Sequence, residues 1–468
     1  VQGGEGGAHE GGAGGSEIAG QGGGGSGGAT PGKGGLALVG GGAEDDPGVD
    51  PSWSAKAYGW IVERSGKGKV AILASSPQSE FLPDYFKSLG AEDAYNLTLP
   101  DKDAADADDT KQKLAQASAI FLKGGNQAKY LTAFTGTAVQ AALIEGFAQG
   151  KVLAGTSAGA HVLSEVVYDA AQGGVYPEEA LRDPYVTYIS FTEGFLGVLP
   201  STLVDTHFTT RGRLARLPAF LARLAIEQPS RDLLGIGLDE RTALLVEPGG
   251  LASVVGRGAV TFLRRTTSSK AAATSGSPPS FSHLALDVLT EGYSFDLVTR
   301  TVVAHPPGAQ SITSAPFTLP AASISLYGDS ASSAQKGAWS LQGVASDPDA
   351  YRKGLLTLTP AEKAVGGALV LSRLFHKDEL DFIENRFGGA LWALGQGPSV
   401  ALLLDDGGAT QVGPDGVAPQ AVSHEPAMLL LDARKASERA PSPYAPQQGA
   451  ALVGATLHLL RSGDTWTP

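Results

Sequence analysis

An α/β fold, built on a parallel sheet with helices on both faces, follows from three features of the sequence. Short apolar runs recur along the first half of the chain. Helical patterns separate most of them, at roughly 25–30-residue spacing, which is the signature of βαβ units. Several runs end in glycines or in residues able to do chemistry. Ligands of open α/β sheets gather there, at the carboxyl ends of the strands.

The first strand is GLALV (35–39), and it runs into Gly40, Gly41 and Gly42. This is no dinucleotide fingerprint, because the G-x-G-x-x-G spacing fails at Asp45. Further strands are expected at 70–74, 94–99, 119–122 and 152–154, with helices at 79–89, 110–117, 127–134 and 139–149. After the fourth strand comes KGGNQ (123–127), where two glycines permit close approach of a ligand and Gln127 offers an amide.

The fifth strand meets GTSAGA (155–160), so a strand turns into a helix with Ser157 at the apex. That geometry lifts a hydroxyl above the sheet edge, and the following helix points backbone N–H groups at an oxyanion. The bare G-x-S-x-G pattern is weak here. With 64 glycines in 468 residues, chance supplies about one match, and one stands at 24–28 with no strand before it.

A serine nucleophile needs a base and a group to orient it. Of eight histidines, His207 closes a strand-like run, STLVDTH (201–207), at another carboxyl end. His161 follows Ser157 by one helical turn and is expected to pack along that helix. Arg211, Arg213 and Arg216 follow His207 in a helix start, a pattern suited to gripping carboxylates. A buried strand at 233–240 ends in Asp239 and Glu240, either of which could hold the imidazole.

Composition bounds the rest. A chain of this length predicts two domains plus tails. Apolar residues make up 42%, and no run approaches a membrane span. A net charge of −13 and a pI near 5.1 argue against nucleic acid as a partner and suit cationic substrates. Cysteine is absent, which removes thiol catalysis, disulfides and cysteine-ligated metals. Residues 1–34 read as a flexible glycine-rich tail, and the initial Val suggests a trimmed precursor.

Four motifs in order, GGNQ (124–127), GTSAGA (155–160), DTHFTTRGRLARL (205–217) and GIGLDERTALLVE (235–247), resemble cyanophycinase and its relatives among the S51 serine peptidases. The resemblance spans about 36–300. It implies a fold like the class I glutamine amidotransferases, with Ser157 as nucleophile, His207 as base and Glu240 as orienting acid. The N–H groups of Ala158 and Gly125 would hold the oxyanion, and Gln127, Asp205, Arg211, Arg213 and Arg216 would line the substrate pocket. The implied substrate is cyanophycin, a poly-aspartate whose side-chain carboxyls carry arginine, cut to β-aspartyl-arginine dipeptides. The arginines would grip its carboxylates and Asp205 its guanidinium groups; no cofactor or metal is implied.

Thr206 stands where some members carry Gln, and 178–200 looks like the secreted branch. That makes an extracellular or periplasmic setting the expectation, with the cytoplasm as alternative. A Ser-, Thr- and Ala-rich stretch at 266–282 reads as a loop before a closing strand at 283–296. The catalytic domain is thus set at 35–303. The region 304–468 has strand-like pieces, a charged run at 376–381 read as a solvated helix, and no catalytic constellation. A homodimer is left open. Two other readings are a related peptidase for small acidic peptides and a non-catalytic polymer-binding protein.

Overall fold

The structure is a computed structural model. It describes residues 34–44 and 51–312, then 316–327, 339–342, 357–360, 368–372, 398–404, 409–420, 427–441 and 450–468, with a few single positions between. The tail up to residue 33 and the charged run at 376–381 lie outside the described residues.

Five parallel strands form the heart of the first sheet: β1 (Leu36–Val39), β2 (Val70–Ala74), β3 (Ala94–Thr98), β4 (Ala119–Leu122) and β5 (Val152–Thr156). Their spatial order is β1-β5-β4-β2-β3. All but β3 are buried along their whole length, as continuous apolar runs covered on both faces should be. Side chains alternate between the faces. Leu36 and Leu38 pack with helices α4 (Asp108–Gln116), α5 (Gln127–Phe134) and α6 (Ala138–Gln149) through Leu114, Phe134 and Leu143. Ala37 and Val39 pack on the other face with α1 (Trp53–Arg64) and α2 (Phe81–Ser88) through Tyr58, Ile61 and Phe86. Helix α1 is not among the helices expected from the sequence; the Ser52 hydroxyl caps it by accepting from Ala55 N at 3.0 Å. A short helix α3 (Lys102–Asp106) precedes α4.

After β5 the chain enters a second sheet. Following α7 (Ala158–His161) come β6 (Ser164–Tyr168), α8 (Pro177–Arg182), β7 (Phe191–Glu193), β8 (Leu199–Asp205), α9 (Arg216–Glu227) and β9 (Leu234–Leu238). Strands β6, β8 and β9 are mutually parallel. A single parallel sheet would have them extend the first one. Instead, β10 (Thr242–Val246) takes the place beside β1, antiparallel to it, and β11 (Leu251–Gly256) follows. Parallel pairing thus holds for the β1–β5 part of the sheet and gives way to antiparallel pairing beyond β1.

Strands β12 (Ala259–Arg264), β13 (Lys270–Thr274) and β14 (Ser277–Thr290) return to the second sheet. The 266–282 stretch is therefore largely a hairpin rather than a loop, with Lys270 opposite Ser282 and Ala272 opposite Ser280. Its small polar residues hid a strand whose Phe281 is buried. The closing strand at 283–296 is in fact two. Strand β14 ends at Thr290, and after a turn β15 (Ser294–Asp296) rejoins the first sheet beside β11, with β16 (Thr301–Ala304) at the edge.

Backbone pairing continues past residue 303. The strand Ala450–Arg461 lies antiparallel to β14, and Ala427–Asp432 and Val400–Leu404 follow in the same sheet. Phe220 and Leu221 of α9 share one buried cluster with Leu403, Leu431 and Leu457. Among the described residues, no helix is long and apolar enough to cross a membrane.

A chain ending at residue 303 would leave β14 as an open edge beside buried Leu284, Leu286 and Val288. It should be recovered mainly as aggregate. Soluble yield and urea unfolding test this; a soluble fragment with a cooperative transition like that of the full chain would refute it.

Candidate active site

The first sheet delivers Ser157. In register, Val39 of β1 lies beside Thr156 of β5, so both strands end together. Ser157 has φ +53° and ψ −118°, and α7 begins at the next residue. The strained conformation sits on the serine itself, not on its flanking glycines. Those are required by close approach instead. A Cβ on Gly155 would lie 2.3 Å from the carbonyl oxygen of Gly159, and one on Gly159 would lie 2.0 Å from that of Leu122.

Three successive carbonyls at the end of β1 tie the site together. Val39 O accepts from Ser157 N at 2.9 Å, Gly40 O from His207 N at 2.8 Å, and Gly41 O from Arg241 N at 2.7 Å. The His207 ring lies so close to this stretch that a Cβ on Gly41 would come within 2.4 Å of it. These glycines fail the spacing of a cofactor loop, yet they belong to the site. Three glycines at a strand's carboxyl end are the signal that another part of the site must come close.

Ser157 Oγ lies 2.7 Å from His207 Nε2, and His207 Nδ1 lies 2.5 Å from Glu240 Oε1. The alternative acid, Asp239, is buried and turned away, accepting from Thr209 N and Ala259 N at 2.9 Å each. Burial pushes the His207 imidazole below its ordinary value, against the pull of Glu240 and with help from Arg211 and Arg213. The bond from His207, with Arg211 and Arg241 nearby, holds Glu240 below the usual carboxylate range. Neutral imidazole beside an ionised carboxylate leaves Nδ1–H donating to Glu240 and the Nε2 lone pair facing Ser157. That is the protonation pattern of a general base.

A cavity of about 230 Å³ opens beside Ser157, lined among others by Gly125, Gln127, Ala158, Thr206 and the three arginines. Gly125 takes φ +148° there. Among the described residues, the N–H groups of Gly125 and Ala158 have no acceptor. Gln127 Nε2 donates to Tyr168 O at 3.2 Å. Among the described residues, no carboxylate side chain lines the cavity.

The arginine run does not act as one face. Gly212, at φ +62°, breaks the chain between Arg211 and Arg213, and α9 begins only at Arg216. Arg216 is 2% exposed and meets Asp205 through two bonds, Nε to Oδ2 at 2.7 Å and Nη2 to Oδ1 at 2.6 Å. Arg213 Nη1 donates to Asp205 Oδ1 at 3.1 Å and to Thr206 O at 2.6 Å. Arg211 has no ion-pair partner among the described residues and is exposed.

Two assignments implied by the resemblance therefore change. Asp205, 1% exposed and held by two arginines of its own chain, is not open to a substrate guanidinium. Arg216 is engaged by Asp205 and by Val175 O rather than free to grip a carboxylate. Burial alone would raise the Asp205 carboxyl, but Arg216 and Arg213 hold it well below the usual range. Burial and Arg216 lower Arg213 to about 9, so it stays charged at neutral pH.

His161 packs inside α7, 3% exposed, with Nε2 3.6 Å from Asp205 Oδ1. Burial lowers it to about 3, against the pull of Asp205, so this contact is no ion pair at neutral pH. Among the described residues, its Nδ1 and the Thr206 Oγ1 are buried without a partner. Among the described residues, no group of three or more His, Asp or Glu side chains is placed to hold a metal.

Similarity to known proteins bears on the chemistry. The profile of Peptidase family S51 matches residues 80–254. A cyanophycinase of Synechococcus elongatus is 30% identical over 279 residues, which cover 57% of this chain and 80% of that protein. The chain belongs to the S51 peptidases. A cyanophycinase of Nostoc sp. (strain PCC 7120) is 31% identical over 282 residues, covering 57% of this chain and 87% of its own. A peptidase of solved structure from an acI-B1 Actinobacterium is 23% identical, covers 56% of this chain and 96% of its own, and has a TM-score of 0.39. As an S51 peptidase the protein is a serine-type hydrolase, of mixed α/β fold with added C-terminal strands.

In this S51 peptidase, Asp205→Asn would leave Arg216 buried without its counter-charge. Unfolding free energy should fall by about 3–5 kcal/mol, whereas Arg211→Ala should change it by less than about 0.5 kcal/mol. Urea denaturation of both variants checks this, and a loss for Asp205→Asn as small as for Arg211→Ala would contradict it.

Proposed function

We propose that this S51 peptidase hydrolyses cyanophycin, releasing β-aspartyl-arginine dipeptides through Ser157, His207 and Glu240. The observation that carries the reading is the unbroken line from Ser157 Oγ through the His207 ring to Glu240, at 2.7 and 2.5 Å, opening on a cationic cavity. Kinship to cyanophycinases at about 30% identity supports the substrate.

His207 Nε2 takes the Ser157 hydroxyl proton as Oγ attacks the scissile aspartyl carbonyl. The oxyanion that forms lies against the N–H groups of Ala158 and Gly125, which are oriented before charge develops. His207 then gives the proton to the departing amine as the C–N bond breaks. Water, deprotonated in turn by His207, attacks the acyl-enzyme and frees Ser157. Glu240 stays ionised throughout and fixes the imidazole. Arg211 and the outer part of Arg213 hold the substrate's free carboxylates, while Asp205 and the Thr206 carbonyl keep Arg213 in place.

The direct test incubates insoluble cyanophycin with the protein and with its Ser157→Ala variant, following soluble dipeptide. The variant should lose at least about a thousandfold in rate. Equal release by both proteins, or by neither, would sink the proposal. A parallel arm with a small acidic dipeptide addresses the second reading, which the modest volume of the cavity favours.

The pH profile supplies an independent check. The base must be neutral, so kcat/KM should rise with pH through the pKa of His207, at a midpoint below the ordinary imidazole value of about 6.5. Arg211 contributes to that depression, so Arg211→Ala should move the limb to higher pH. A limb that stays in place or moves down would contradict the assignment.

A further inference from the structure

A second cavity, of about 360 Å³, lies where the β13–β14 hairpin meets the C-terminal strand Ala450–Arg461. Among the described residues, it shares no lining residue with the cavity beside Ser157. A volume of this size falls within the range of small-molecule sites, roughly 300–1,000 Å³.

Its corner is built by an irregularity in the sheet. Pairing between β14 and the C-terminal strand loses register between Phe281 and Leu284, and His283 sits in the break at φ +59°. Non-glycine residues rarely take that conformation, and bulges commonly re-aim side chains at functional places. The His283 N–H donates to Nδ1 of buried His458 at 3.3 Å, and the two rings meet edge to face with centroids 4.6 Å apart. Accepting at Nδ1 places the proton of neutral His458 on Nε2.

The charges around this corner run against those of the whole chain. In a protein of net charge −13, Lys270 and Arg461 both line the cavity, and neither has an ion-pair partner among the described residues. Arg461 Nη1 is fixed by Pro278 O at 3.1 Å. Asp464, the one carboxylate among the described lining residues, accepts from the Arg461 backbone N–H at 3.1 Å. The hydroxyls of Ser280 and Ser282 complete a wall of donors. A guanidinium held at one nitrogen, an exposed ammonium and hydroxyl donors together match a carboxylate.

We propose that this cavity is a second, non-catalytic carboxylate site that holds a length of the polymer by its arginyl carboxylates while another part of it occupies the catalytic cavity. The inference rests on the polymer reading given above. It gives the C-terminal region a role, since β13 and β14 cannot form the holding site alone. Two separate points of attachment on one insoluble substrate gain affinity through effective concentration, without any stronger single contact.

Two variants test it: Lys270→Glu, at an exposed position, and Lys270→Glu combined with Arg461→Gln. In a Ser157→Ala background, each should sediment with insoluble cyanophycin about tenfold more weakly than the parent. In the active background, each should release dipeptide from the granules more slowly, yet cleave a short soluble aspartyl-arginine oligomer within about twofold of the parent. Unchanged sedimentation would overturn the inference, and so would an equal loss of rate on granules and on oligomer. If the parent released no dipeptide from either substrate, the hydrolytic reading would fail. Sedimentation of the Ser157→Ala proteins would then decide the holding site separately.

Discussion

The end of β1 is the constraint on which the site depends. Successive carbonyls of Val39, Gly40 and Gly41 accept from the backbone of Ser157, His207 and Arg241, the last being the neighbour of Glu240. One short stretch thus fixes three segments that arrive from two sheets and from widely separated parts of the chain. Backbone-to-backbone bonds of this kind set positions more tightly than side-chain packing alone, because they leave no rotamer freedom. Glycine is demanded there by space: His207 presses on Gly41, while a Cβ on Gly40 would lie 2.0 Å from the carbonyl oxygen of Asp239.

Much of this was legible in the sequence. Strand ends carrying Ser157, His207 and Glu240 could be read from apolar runs that stop at reactive residues, since the α/β architecture gathers such ends at one edge. What stayed hidden was mostly pairing. Strands β8 and β9 look in sequence like any buried parallel strand, and nothing local says that β10 takes the place beside β1. The 266–282 stretch hid its hairpin because its outward residues are small and polar, leaving Phe281 as a lone marker of the buried side.

Charge was legible only as an inventory. The sequence shows arginines after His207 and an aspartate before it, but not that buried Asp205 and Arg216 neutralise one another. The choice between Asp239 and Glu240 likewise turned on geometry, because both carboxylates stand at the same strand end and only one faces the imidazole. The acidic pI describes the surface as a whole. The two cavities carry cations with no ion-pair partner among the described residues, and so depart from it locally.

The pairing of β14 with the strand Ala450–Arg461 has a consequence for the order in which the molecule can be completed. As the polypeptide emerges from the ribosome, the segments bearing Ser157, His207 and Glu240 are made well before that last strand. Until it arrives, β14 offers bare N–H and C=O groups above an apolar face, the kind of edge that recruits other chains. Until the strand Ala450–Arg461 closes the sheet, that edge stays open to pairing with another chain.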